Sequence, residues 1–178
     1  MSFAIVDGVQ PGTTSMFRIV LDEQAVFQLD DLVMTEQTLP DGTSHRTYGV
    51  ISEVYGKLEG AAFVSDTARI AREQTMPGQA VRYADVRVLR HVPEMYLPPR
   101  PGAEVLPVTG AFRQQALYED QMGRPLSLAL DQSGQPVRID LEFLDGTRGG
   151  HVSISGVSGV ATKTSFALHM LYMLLESQ

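Results

Sequence analysis

Residues 16–22, Met16-Phe17-Arg18-Ile19-Val20-Leu21-Asp22, alternate: Phe17, Ile19 and Leu21 fall on one face, Arg18 and Asp22 on the other. A period of two is the signature of a strand with one buried face. The signal recurs outward from this stretch. Ala25–Leu29 and Leu32–Thr35 read as short strands on either side of Asp30-Asp31. Leu39-Pro40-Asp41-Gly42-Thr43 reads as a hairpin turn, because Gly42 can take the positive φ that a tight turn needs. Arg46–Lys57 (RTYGVISEVYGK) and Gln79–Val92 (QAVRYADVRVLRHV) are rich in β-branched and aromatic residues. Gly49 and Gly56 mark bulges or bends in the first of them. Ala61–Thr75 reads equally as loop, strand or short helix. Short strands spaced by roughly ten residues, with turns between, predict a closed barrel or a sandwich.

Composition sets the outer limits. The 178 residues make one domain, or one domain and part of another. At 43% hydrophobic and 20% charged, the chain is globular rather than disordered, collagen-like or coiled coil. It has no cysteine, which excludes a disulfide scaffold, a thiolate metal site and a thiol nucleophile. No apolar run reaches the ~18 residues of a spanning helix, so no membrane association is expected. The N-terminal MSFAIVDGVQPG lacks the basic and apolar regions of a signal peptide, so the expected compartment is the cytoplasm. A net charge of −7 disfavours a free-standing nucleic-acid coat.

Five of the ten prolines fall between Pro93 and Pro107, which makes this stretch the expected boundary. The expected units are 1–97, a β domain, and 98–178, a linker followed by an α/β segment. In the second, Thr109 caps a helix running to about Gln121, ended by Gly123. Pro125–Leu130 and Pro136–Phe143 form a hairpin, His151–Ser155 a short strand, and Thr164–Glu176 a buried helix with Phe166, Met170, Met173 and Leu174 on one stripe.

The chemistry is concentrated in HVSISGVSGVATKTSFALHMLYMLL, residues 151–175. Strand, glycine loop, Lys-Thr and helix follow in the order of a phosphate-binding loop. Glycines let backbone N–H groups turn toward phosphates, and the helix N-terminus adds partial positive charge. A lysine reaches the β- and γ-phosphates, and the next hydroxyl ligates Mg²⁺. Gly156, Ser158, Gly159, Ala161, Thr162, Lys163, Thr164 and Ser165 are the candidate nucleotide-binding residues, with Thr164 the candidate Mg²⁺ ligand. The usual spacing is G-x-x-x-x-G-K-[ST]. Here Ala161-Thr162 replaces the glycine before Lys163, and the loop is longer by one. The plain alternative is an ordinary strand-to-helix turn with a solvated first-turn lysine.

The run DGTRGGHVSISGVSGVATKTSFALHMLYMLL resembles the start of the ATPase domain in HerA-like ATP-binding proteins, P-loop motors of the FtsK–HerA group. DEQAVFQLDDLV, YGVISEVYGKLEGAAFVSDT and PEMYLPPRPGAEV resemble the small β-barrel that precedes that domain, the HAS-barrel. The resemblance implies a mainly β barrel followed by the opening α/β segment of a P-loop ATPase domain. It implies a barrel that helps assemble a hexameric ring and docks partners, among them a NurA-type nuclease. It also implies ATP hydrolysis with Mg²⁺ that drives translocation of double-stranded DNA. Gly156, Gly159, Lys163 and Thr164 match the family's phosphate loop; Ala161 and Thr162 depart from it. Such a motor also needs an acidic metal-holding strand, a sensor residue and an arginine finger. None is assignable here, so the expectation is an N-terminal piece of a longer motor that does not turn ATP over by itself. The alternative is a non-enzymatic barrel interaction module with a degenerate loop.

Other polar residues read as structural. His45, His91, His151 and His169 show no metal-ligand spacing, and Asp30-Asp31 sits at a turn. Ser65-Asp66-Thr67 lacks a partnered histidine. Asp145 and Arg148, which flank the strand leading to the glycine loop, are candidate contacts to nucleotide or to a neighbouring subunit. Six of the 14 basic residues lie between Arg69 and Arg100, where interleaved acids suit subunit contacts better than DNA.

Overall fold

The computed structural model describes residues 4–146, 150–156 and 162–176. The chain divides into two compact units, 1–116 and 117–178.

The first unit is a closed antiparallel barrel of six strands. They are β1 (Ala4–Val6), β2 (Met16–Leu21), β3 (Leu32–Thr38), β4 (Ser44–Glu59), β5 (Gln79–Val92) and β6 (Glu104–Pro107). Their order around the wall is β1-β2-β5-β4-β3-β6. Closure comes from β6, which pairs with β1 through Ala4 and Val105 and with β3 through Thr35 and Val105. The expected boundary at residue 97 therefore falls short of the last barrel strand. Proline in this stretch does not prevent a strand, because Pro107 is the final residue of β6.

Alternation places Phe17, Ile19 and Leu21 inside, as the sequence predicts. They pack with Val33, Ile51, Val86 and Val105, all fully buried. Two bulges then re-aim the side chains of the long β4–β5 pair. Ile51 opposes Val86 and Glu53 opposes Asp85, so Ser52 is the extra residue of β4. Tyr48 opposes Arg90 and Gly49 opposes Val88, so Leu89 is the extra residue of β5. One inserted residue reverses the facing of everything beyond it. Thus Val86 points inward, Arg90 points outward and His91 returns to the interior. A bulge does occur at Gly49, where close approach of β5 leaves no room for a Cβ. Gly56 lies in regular pairing with Arg82.

Ala25–Leu29 forms no strand. Its chain turns through Asp30, which adopts a positive φ of 70°. Val64–Ala71 is helix α1. The Asp66 carboxylate accepts the Phe63 and Ala62 amides at 2.9 and 3.0 Å, which ties down the start of α1. These two bonds hold the Asp66 carboxyl below the ordinary carboxylate range, assisted by Arg69.

Helix α2 (Gly110–Ala116) lies on the outer wall over Met34, Tyr48 and Val108. The Tyr48 hydroxyl donates to Gln115 Oε1 at 2.7 Å, and Arg90 Nη1 donates to the Gln115 carbonyl at 2.6 Å. Burial raises the Tyr48 hydroxyl above the ordinary phenol range. The expected helix to Gln121 stops at Ala116, because Tyr118 takes a left-handed conformation with φ 59°. A 3₁₀ turn, Glu119–Gln121, follows.

The second unit contains the expected hairpin, β7 (Pro125–Leu130) with β8 (Pro136–Asp140). Its turn is organised by Asp131, whose carboxylate accepts the Ser133 and Gln135 amides. The alternation of Val137, Ile139, Leu141 and Phe143 does not extend the strand. Asp140, buried, caps the Glu142 amide and starts the short helix α3 (Leu141–Leu144). Residues 151–156 belong to no helix or strand, so the expected strand His151–Ser155 is absent. Helix α4 (Thr162–Glu176) is present but is not buried as expected. Met170 is its buried residue, while Phe166, Leu168, Leu171, Tyr172 and Leu175 are exposed. Period alone cannot distinguish a helix apolar on every side from a buried one.

Candidate functional site

The candidate phosphate segment is described at its two ends. Gly156 lies before the loop, and Thr162, Lys163, Thr164 and Ser165 form the first turn of α4. Ser158, Gly159 and Ala161 fall outside the described residues. Helix α4 thus begins at Thr162 rather than at the expected Thr164, which puts Lys163 inside its first turn.

Lys163 Nζ donates to the Gly156 carbonyl at 2.8 Å, across the loop. A Cβ added at Gly156 would lie 3.1 Å from Lys163 Cγ, so the lysine stem runs along the glycine. Thr162, Thr164 and Ser165 are exposed, and Lys163 is half-buried. This donor set suits an anion: an ammonium, hydroxyls and the N-terminus of a 15-residue helix. It also suits Mg²⁺ held through a hydroxyl and phosphate oxygens.

The helix is docked on the hairpin of its own unit. His169 Nε2 donates to the Leu128 carbonyl of β7 at 2.7 Å, and Met170 is buried beside it. The role of His169 is one that sequence spacing could not show. Asp145 is paired with Arg124 at 3.5 Å, while Arg148 lies outside the described residues. Among the described residues no group of three or more His, Asp or Glu side chains is placed to hold a metal. No helix among them is long and apolar enough to cross a membrane.

Two clusters on the barrel were missed because strand pairing, not sequence proximity, assembles them. On the outer wall Arg18 Nε pairs with Asp85 at 2.8 Å. Its guanidinium carbon stands 4.2 Å from the Tyr83 ring centroid, and Tyr83 stacks on Tyr55 at 4.9 Å. The Asp85 hydrogen bond raises Arg18 further, and partial burial with Asp85 nearby raises the Tyr55 hydroxyl. Inside the barrel His45 and His91 stack with their centroids 5.3 Å apart.

The chain matches no protein-family model and no curated protein.

Proposed function

We propose that the chain supplies the barrel and phosphate-loop segment of a HerA-like, ATP-driven DNA translocase working in the cytoplasm. The barrel serves ring assembly, hexameric in the whole motor, and docks partners such as a NurA-type nuclease. Residues 156–164 hold the ATP phosphates, with Mg²⁺ on Thr164. ATP supplies the transferable phosphoryl group, and Mg²⁺ neutralises its charge. In this reading Lys163 contributes the cation, and the first turn of α4 contributes hydroxyls and amides. The resemblance of residues 145–175 suggests the function. The observation that carries it is the placement of Lys163 in the first helical turn, bonded back across the glycine loop to Gly156.

A second reading is a barrel interaction module without nucleotide. It is favoured by the absence of a strand at 151–155, since a phosphate loop is normally anchored on one.

Calorimetric titration of the chain with Mg·ATP distinguishes the two. Binding that weakens at least ~10-fold in Lys163→Ala supports the phosphate loop; that corresponds to losing one charge-assisted contact of about 1.5–3 kcal/mol. Absence of binding, or equal affinity in both proteins, overturns it in favour of the module.

A further inference from the structure

The interior of the barrel is apolar at one end and polar at the other. At the polar end Thr35, Thr47 and His91 stand in one row across β3, β4 and β5, with Gln37 and His45 in the next. His45 is 0% exposed and His91 4%. The two imidazoles stack at an interplanar angle of 26°.

Their protonation follows from their partners. His45 Nε2 meets the Met95 carbonyl at 2.7 Å, and His91 Nε2 meets the Thr14 carbonyl at 3.1 Å. A carbonyl only accepts, so both Nε2 atoms carry hydrogen. In the neutral rings both Nδ1 atoms are acceptors. That of His45 faces the Gln37 side-chain nitrogen at 3.4 Å, and that of His91 faces the Thr47 hydroxyl at 3.3 Å. These four partners are all uncharged.

The two carbonyls belong to different segments. Met95 lies in the strap of residues 93–97 after β5, and Thr14 in the loop of residues 7–15 between β1 and β2. Tyr96 of the strap also sets its edge against the His91 ring, with centroids 5.6 Å apart. The neutral pair thus fastens both segments across the polar end of the barrel.

The neighbouring charges are engaged elsewhere. Glu36 of β3 pairs with Arg46 of β4 at 3.0 Å, and Arg46 lies over Phe112. Arg90 of β5 turns out to the Gln115 carbonyl. Asp7 accepts the Val9 and Gln10 amides, Arg18 of β2 pairs with Asp85, and Glu94 on the strap is exposed.

We propose that His45 and His91 form an acid-released latch: neutral, they clamp strap 93–97 and loop 7–15, and a second proton frees both. One imidazolium is tolerated, because the Thr47 hydroxyl or a turned Gln37 amide can accept from Nδ1. Two buried cations in a stack, with no carboxylate among the described residues bonded to either, repel. The released state binds more protons than the latched one. Closure is therefore complete at the higher pH and is lost as pH falls.

Amide hydrogen exchange on the 178-residue chain reads the latch directly. The Met95 amide donates to Pro93 and the Leu97 amide to Met95, so both report on the strap. From about pH 8 to about pH 5, their protection, corrected for intrinsic exchange, should fall at least ~10-fold. Protection at Ile19 and Ala84 of the β2–β5 pair should stay within about twofold under the same correction. In His91→Gln one charge remains and the side chain can still donate to Thr14, so the strap should lose its pH dependence. Imidazole proton resonances of the unaltered chain provide a second measurement, independent of how well the variant folds. Two separated titration steps for His45 and His91 support the latch. Unchanged strap protection across the range, an equal loss in His91→Gln, or a single coincident step for both rings overturns it.

Discussion

Alanine at Gly49 and alanine at Gly56 should have opposite effects, although both glycines lie in β4. A Cβ at Gly49 would fall well inside contact distance of Val86 Cγ1 and 2.9 Å from the Arg87 carbonyl oxygen. Val86 is fully buried, so it has little space to move. The Arg87 carbonyl sits in the paired β4–β5 wall beside the Leu89 bulge, so moving it disturbs the pairing. Overpacking of this kind costs about 1–3 kcal/mol, and a backbone contact puts Gly49 near the upper end. At Gly56 nothing lies within 4 Å of the added Cβ, and the position is exposed. There, alanine mainly restricts the unfolded chain and stabilises by about 0.4–1 kcal/mol. The two variants should therefore differ by about 3 kcal/mol. Urea unfolding followed by the near-ultraviolet tyrosine signal measures this. With a slope of about 2 kcal/mol per molar urea, the midpoints should separate by about 1.5 M. Variants within about 0.5 kcal/mol of each other would refute the bulged register that presses β5 against Gly49.

Two further outcomes follow from named contacts. Tyr48→Phe removes the hydroxyl that donates to Gln115 Oε1, and should cost about 1 kcal/mol while raising amide exchange in α2. Thermal unfolding combined with exchange checks both parts. Asp66, whose carboxyl is lowered by the Phe63 and Ala62 amides, contributes stability above the ordinary carboxylate range. That contribution is lost as pH falls through the depressed value. Melting temperatures of Asp66→Asn should be lower than those of the unaltered chain at neutral pH and converge with them in acid.

The strand content was legible because its signals are local. Gln79–Val92 spans β5 residue for residue, and Met16–Leu21 shows its buried face in its alternation. Closure was not legible. β6 has four residues among prolines, and its strand character comes from partners about 100 and 70 residues earlier in sequence, Ala4 and Thr35. Alternation misled at Leu141 and Phe143, where the buried Asp140 carboxylate bonds the Glu142 amide and starts a helix instead. The candidate site was legible as residue types, with Lys163 in the first turn of α4 after the glycine loop. Its expected anchoring strand was not found, because HVSIS has strand propensity but no strand pairs with it among the described residues. The His45–His91 stack depends on the extra residue Leu89, which reverses facing without leaving a mark in the hydrophobic pattern.

The seam between β1 and β6 bears on how the barrel meets other chains. Each of the six strands pairs with two neighbours, but β4 outruns β3: its residues 53–59 pair with β5 alone, which leaves one edge of that projecting arm without a strand partner among the described residues. Around the closed part of the wall partners must bind through side chains and connecting loops instead, and strand addition is confined to the projecting end of β4. The β7–β8 hairpin resembles that arm, because each of its strands is paired on one side. Synthesis adds a constraint: the wall cannot close until residues 104–107 have emerged. Until then the edges of β1 and β3 stand open together and can pair with another chain. A shortened version ending at residue 97 would keep both edges exposed permanently, and should aggregate where one ending at Ala116 stays monodisperse.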